Sequence, residues 1–283
     1  MTHDPLVDAD WLRTHLDEPD LRVADATWFA PWASHDLTAR QAYEKAHIPG
    51  AVFFDIDDIA DTESPLPHMF PSSAKFSSRL SKLGLGDGHR IVLYDRNNFF
   101  ASARAWWMFR AIGHEDVYVL NGGWAAWEAV GGDVEDLPPL NIHRHNTPRI
   151  QADLIKSANQ VAEAIERGAL VLDARPSARF EGAAPEPRED LASGHIAGSL
   201  NLPADSLVNA DGFMKPVAEL QKLFSELGKP LKGDMVAMCG SGVSAAIVLL
   251  ALARLGHWRA ALYDGSWTDW ALSGRPVATG PAA

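Results

Sequence analysis

The chain has 283 residues, 47% of them hydrophobic and 22% charged, with 22 glycines and 18 prolines, a profile that excludes disordered and fibrous proteins. Its 25 Lys and Arg against 37 Asp and Glu leave a formal charge of −12, so the overall field repels polyanions and nucleic acid is not an expected partner. One cysteine, Cys239, excludes an intrachain disulfide and fits a reducing compartment.

The opening residues carry neither a basic segment nor an apolar run, and the longest apolar stretch, Ala245 to Ala253, is well short of the ~20 residues of a membrane span. A cytoplasmic protein with no membrane partner is expected. Further along, Leu21 to Asp25 reads as a buried strand ending in an aspartate, and His47-Ile-Pro-Gly50 follows it. Gly84-Leu-Gly-Asp-Gly88 precedes the strand Ile91 to Tyr94 instead of following one, so it reads as a turn and not as a nucleotide loop. Trp124 and Trp127 stand at helical i, i+3 spacing and are expected in the core. Asp133 to Pro148 is rich in proline and polar residues and lacks periodicity, as a linker should. His143 and His145 lie in it and are read as solvated, so no metal site is expected.

The second half repeats these landmarks. Leu170 to Asp173 matches Leu21 to Asp25, and His195-Ile-Ala-Gly198 matches His47-Ile-Pro-Gly50, at an offset of 148. Gly256-His257 matches Gly113-His114, and Trp267 and Trp270 match Trp124 and Trp127, at an offset of 143. The first copy therefore carries about five extra residues in or near Asp58 to Pro71. Strands at Leu170 to Asp173 and Asp234 to Met238 alternate with helices at Val217 to Leu227 and Ser244 to Leu255. The expected fold is α/β: two tandem domains over residues 1–135 and 150–283, joined by a linker over 136–149, each a mostly parallel sheet with helices on both faces. Asp25 and Asp173, each ending a strand, are expected to hold loop backbone by accepting N–H groups.

Cys239 ends the strand of the second copy and opens Gly240-Ser241-Gly242-Val243-Ser244, which runs into a helix. Two glycines let the backbone curl so that successive amides face the sulfur, and the helix dipole adds to that field, raising the thiolate fraction. Ser241 and Ser244 offer hydroxyl donors to the same anion. The alternative is a small buried hydrophobe. A phosphatase loop needs arginine at position 245, where Ala245 stands. Asp95 takes the place of Cys239 in the first copy and cannot carry a transferable sulfur, so that domain is expected to be catalytically silent.

Two tandem copies with His-Ile-x-Gly, and Cys-Gly-Ser-Gly-Val-Ser in the second alone, resemble the two-domain rhodanese superfamily of sulfurtransferases. The loop is similar to the Cys-Gly-Ser-Gly-Val-Thr of its 3-mercaptopyruvate branch, with Ser244 for threonine. The resemblance implies tandem rhodanese-like domains and sulfur transfer from 3-mercaptopyruvate through a Cys239 persulfide to thioredoxin, a small thiol or cyanide, with no metal or organic cofactor. It implies substrate binding by Arg179 and Arg188 together with Gly240, Gly242, Val243 and Ser244, and a triad of Ser241 with His47 and the upstream Asp36. Read from the residues alone, Arg179 and Arg188 could instead be solvated partners of Glu181, Glu186, Glu189 and Asp190, and the repetition of His47 as His195 suits a fold-level role for both. Thiosulfate as donor and a non-catalytic persulfide carrier are the alternative functions.

Overall fold

The computed structural model describes residues 4–140 and 142–282. They form two compact units: the described residues of Met1–Thr62, Phe70–Gln151 and Ala210–Phe213, and those of Glu63–Met69, Ala152–Asn209 and Met214–Ala283. The first unit runs β1 (Leu6–Val7), α1 (Ala9–His15), β2 (Leu21–Asp25), α2 (Ala39–Lys45), β3 (Val52–Phe53), α3 (Ile56–Ile59), α4 (Ser73–Lys82), β4 (Arg90–Tyr94), α5 (Ser102–Ala111), β5 (Val117–Leu120) and α6 (Gly123–Ala129). The second runs β6 (Ile155–Lys156), α7 (Ala158–Glu166), β7 (Leu170–Asp173), α8 (Ser177–Phe180), β8 (Leu200–Asn201), α9 (Val217–Glu226), β9 (Met235–Met238), α10 (Ala245–Arg254), β10 (Ala261–Tyr263) and α11 (Ser266–Leu272).

Each unit holds one five-stranded sheet, ordered β1-β5-β4-β2-β3 in the first and β6-β10-β9-β7-β8 in the second. Every pairing is parallel. The expected strands and helices of the second copy are therefore present, each within a residue of the expected ends. Identical strand orders confirm at the level of topology the duplication legible in the sequence.

Parallel strands need helical crossovers, which cover the sheet and bury its strands on both faces. In β4, Val92 and Tyr94 pack with Leu12 of α1 and Trp124 and Trp127 of α6. The alternate residues Ile91 and Leu93 are equally buried, on the side covered by α5. In the second unit, Val236 and Met238 of β9 pack with Val161 of α7 and Trp267 and Trp270 of α11. Leu170, Leu172 and Ala237 face the other way, toward apolar α10, whose residues from Ala245 to Ala253 are all buried. Both tryptophan pairs thus sit in the core, each side chain there stabilising the fold by about 1.5–3 kcal/mol.

The end of the expected linker is not free chain. Arg144 N–H donates to Ser81, Asp87 N–H to the His145 carbonyl (2.9 Å), Arg149 N–H to Ile112 and Gln151 N–H to Ala111 (both 2.7 Å). Thr147 donates its N–H and its hydroxyl to the Asp87 carboxylate at 3.0 and 2.6 Å. Burial opposes ionisation of Asp87, but these two donors hold its carboxyl below the usual range. Residues 144–151 are thus strapped onto the first unit, and a Cβ on Gly86 would lie 2.4 Å from the His145 carbonyl oxygen. Gly86→Ala should displace the strap at a cost of about 1–3 kcal/mol, read as faster protease cleavage within 142–150 and a lower urea midpoint. Because the folded Asp87 pKa lies below its unfolded value, its contribution is present above the unfolded value and fades as pH falls through the folded one. The strap of the unaltered protein should therefore become protease-sensitive in acid before the unit unfolds.

Candidate active site

The carboxyl ends of β7 and β9 and the loops beyond them assemble the second unit's polar centre, where ligands bind in open parallel sheets. Cys239 follows β9 and is 2% exposed. Its amide donates to Ser266 Oγ at 3.1 Å, and its carbonyl accepts Trp267 N–H at 2.9 Å. The loop then turns through Gly242 at φ +76°, a left-handed position suited to glycine, and enters α10. Ser244 stands at the α10 N-cap without a side-chain cap bond, leaving first-turn amides of that helix without a side-chain acceptor from its own cap. Val243 and Ser241 are buried beside the thiol in sequence and frame this turn.

Arg179 extends from α8 and Arg188 from the loop after it, and both reach the Cys239 loop. A Cβ on Gly240 would stand 3.4 Å from Arg179 Nη2 and 3.7 Å from Arg188 Nη1. Arg188 Nη2 also lies 3.4 Å from Ser241 Oγ. Neither arginine is the solvated surface charge of the alternative reading. Arg179 pairs with Glu186, its Nε at 3.2 Å, and Glu186 is almost wholly buried.

Glu186 belongs to a chain of alternating charges. It accepts Arg175 Nη1 at 2.8 Å, while Arg175 grips Asp173 through Nε at 3.0 Å and Nη2 at 2.6 Å and donates to the Gly194 carbonyl at 2.7 Å. The Arg175 guanidinium lies over the Trp267 ring at 4.2 Å. Burial would lower the Arg175 pKa, but Asp173 and Glu186 hold it above the ordinary value. As expected, Asp173 accepts a loop N–H, that of Arg175 (3.0 Å), and Asp25 accepts that of Thr27 (2.8 Å).

The histidine on Ser241 is His68, not His47. His68 Nδ1 and Ser241 Oγ share a hydrogen bond of 2.9 Å, and His68 is buried with φ +58°. It sits in Glu63–Met69, within the stretch by which the first copy exceeds the second, so comparison of the repeats gave it no counterpart. The signal available was the insertion itself: extra residues in one copy of a duplicated chain, carrying a histidine between prolines. His47 instead donates Nδ1–H to the Tyr43 carbonyl at 2.8 Å and stacks on the Tyr43 ring at 4.1 Å. Its repeat does the same: His195 donates to the Phe180 carbonyl at 3.0 Å and stacks on Phe180 at 3.9 Å. Each also forms a two-bond bridge with a later segment, His47 with Glu135 and His195 with Ala278. The shared role is structural, and the expected triad is corrected accordingly. Asp36 lies exposed in the irregular stretch before α2.

The rhodanese-like domain profile matches residues 8–130 and again 157–273. The chain belongs to the rhodanese family. It is 40% identical over 269 residues to the 3-mercaptopyruvate sulfurtransferase of Escherichia coli strain K12, covering 93% of this chain and 94% of that one. Over 292 residues it is 39% identical to the mitochondrial thiosulfate/3-mercaptopyruvate sulfurtransferase 1 of Arabidopsis thaliana, covering 95% of this chain and 76% of that one. The crystal structure of SseA from Escherichia coli superposes with a TM-score of 0.85 at 37% identity, over 94% of this chain and 99% of that one.

The two rhodanese domains handle the same loop differently. In the first, Asp95 occupies the Cys239 position: Trp124 N–H donates to its carbonyl at 2.9 Å as Trp267 N–H does to that of Cys239. The Asp95 carboxylate takes four backbone amides, Oδ1 those of Asn97 (3.2 Å) and Phe99 (3.1 Å), Oδ2 those of Ala101 (3.0 Å) and Ser102 (2.8 Å). The loop is an anion nest filled by its own side chain. Arg96 then lies over the Trp124 ring at 4.0 Å and 3.8 Å from Asp25, the duty that Arg175 performs for Trp267 and Asp173. Asp95→Ala should leave buried amides without an acceptor and cost about 2–4 kcal/mol, with Asp95→Asn milder because one oxygen survives. Urea denaturation of the two variants reads the difference, and equal midpoints for Asp95→Ala and the parent would contradict the nest.

Proposed function

We propose that this rhodanese is a 3-mercaptopyruvate sulfurtransferase, and the observation that carries the reading is the convergence of Arg179 and Arg188 on the loop that follows Cys239. A planar carboxylate and an adjacent carbonyl oxygen suit two guanidiniums that reach the same loop residue, and planar charge-assisted contacts of this kind favour an anionic donor. In this scheme the Cys239 thiolate attacks the donor sulfur. The S–S bond forms as the C–S bond breaks, and the bonding pair leaves with the carbon fragment as the enolate of pyruvate. A proton delivered through Ser241 and His68, which share a hydrogen bond of 2.9 Å, converts the enolate to pyruvate. Cys239 is left as a persulfide, held by amides of Gly240 to Ser244 as the Asp95 carboxylate is held in the first domain. A thiol acceptor, a small thiol or a thioredoxin, then takes the outer sulfur and restores the thiolate, which gives double-displacement kinetics.

Thiosulfate is the competing donor. Its sulfonate can meet the same guanidiniums, but Gly240 and Ser241 add no cation beside the nucleophile, so its specificity constant should be the smaller. With one cysteine and no second thiol to trap the persulfide, the protein works where thiols stay reduced, and we place it in the cytoplasm. No described helix is long and apolar enough to cross a membrane.

The reading is tested by intact mass after brief exposure to 3-mercaptopyruvate. One added sulfur is expected in the parent, less with thiosulfate, and none in Cys239→Ser; a parent that gains no sulfur from either donor would overturn it. Arg179→Ala and Arg188→Ala should each raise KM for 3-mercaptopyruvate about 10- to 100-fold, the loss of a charge-assisted contact. His68→Gln should lower kcat by about 100-fold or more with a smaller change in KM, whereas His47→Gln should act on stability instead. Steady turnover with a small thiol separates an enzyme from a persulfide carrier, which would load once and stop.

A further inference from the structure

Three consecutive residues at the start of α11 grip the junction between β9 and the Cys239 loop. Ser266 Oγ accepts the Cys239 N–H at 3.1 Å and donates to the Tyr263 carbonyl at 2.7 Å. Trp267 N–H donates to the Cys239 carbonyl at 2.9 Å. Thr268 donates twice to the Gly240 carbonyl, through N–H at 3.0 Å and through its hydroxyl at 2.7 Å.

These bonds have a directional consequence. In a trans peptide the N–H points opposite to the C=O of the same unit. Carbonyls 239 and 240 are turned toward α11, so the amide hydrogens of Gly240 and Ser241 are aimed away from it. Those are the first two donors of the loop available to an anion on Cys239. The clamp therefore sets the direction of the amides that meet the sulfur.

The first domain supplies an internal comparison. Trp124 makes the backbone bond to Asp95, but Gly123 stands where the second domain has Ser266, and Ala125 where it has Thr268. Both hydroxyls belong to the copy that carries the nucleophile. Ser266 is moreover fully buried at φ +52°, the same left-handed value that Gly123 adopts. A side chain is strained in that conformation and glycine is not. Glycine would relieve that strain, yet the position holds a serine whose hydroxyl bonds the amide of the reactive residue.

We infer that Ser266 and Thr268 are positioning residues for sulfur transfer: with the Trp267 amide on the Cys239 carbonyl between them, Ser266 fixes the peptide that enters Cys239 and Thr268 the one that leaves Gly240, so that the Gly240 and Ser241 amides face the thiolate and the persulfide. The inference rests on the sulfur-transfer reading for Cys239. Neither residue touches the donor, so the effect belongs in the chemical step and not in donor affinity.

The test compares Ser266→Gly and Thr268→Ala, which install the residues of the silent domain, with Thr268→Ser, which keeps the hydroxyl. Single-turnover sulfur uptake from 3-mercaptopyruvate should fall about tenfold in each of the first two, with KM within about twofold of the parent and Thr268→Ser close to it. Alkylation of Cys239 by iodoacetamide, which needs no sulfur donor, should slow several-fold in the same two variants. In Ser266→Gly the relieved strain offsets part of the two lost hydrogen bonds, so its melting temperature should not drop in step with its rate. Unchanged alkylation, a loss seen in KM alone, or Thr268→Ser as impaired as Thr268→Ala would each overturn the inference. A parent that takes up no sulfur overturns the mercaptopyruvate reading instead, and the alkylation rates still decide whether the clamp holds.

Discussion

A loop that curls at the carboxyl end of a buried parallel strand gathers amide hydrogens on one side, and something has to accept them. Everything distinctive about the two domains follows from the two answers given. In the first, the acceptor is the Asp95 carboxylate, which closes the loop with four bonds of 2.8–3.2 Å and leaves no room for chemistry. In the second, a cysteine takes the same place, anchored by the same backbone bond from the first turn of the last helix. The first domain's carboxylate is a built-in part of the fold. A cysteine side chain brings no carboxylate to fill the loop from within, so the same curl can serve a ligand instead.

The arginines show the same division between holding the fold and serving a ligand. Each domain has an aspartate at the end of a central strand and a tryptophan on the last helix that need one guanidinium between them. The first domain takes it from Arg96, the residue directly after Asp95. The second takes it from Arg175, two residues after Asp173, and the position after Cys239 becomes glycine. That relocation is what allows Arg179 and Arg188 to approach Gly240 as closely as they do. A guanidinium at 240 would crowd both of them and repel them electrostatically. The glycine is therefore as much a consequence of where the structural arginine sits as of the loop's curl.

Where the chain repeats itself, its architecture was legible in advance. The landmarks at offsets of 148 and 143 locate both sheets, the ends of β2, β7 and β9 and the core tryptophans, because duplicated positions carry duplicated physical duties. The meeting of Cys239 and both arginines at one loop was legible too, Cys239 from its strand-to-helix setting and the arginines through the family resemblance. Repetition also marked His47: its triad role came from the family resemblance, whereas its repeat as His195 pointed to a fold-level role, and both histidines hold the same carbonyl and ring contact. His68 was missed for the complementary reason: it lies in residues found in one copy alone, at a positive φ and flanked by prolines, where neither period nor repeat provides a signal. Glu186 looked like one surface acid among several, and only the fold reveals it buried between Arg175 and Arg179.

The useful comparison in a duplicated protein is consequently the difference between its copies. Subtracting the first domain from the second removes the sheet, the tryptophans, the aspartates and the His-Ile-x-Gly histidines, all of which the fold needs regardless of chemistry. What is left is Cys239 for Asp95, Gly240 for Arg96, Ser266 for Gly123 and Thr268 for Ala125, with Arg179 and Arg188 converging on the same loop. A cysteine alone would not reproduce the second loop: Arg96 would still stand where that loop has Gly240, and its junction would lack both hydroxyls. The second domain thus differs from the first by a connected set of residues around one strand end, with Ser266 holding there a backbone conformation that is strained for a side chain.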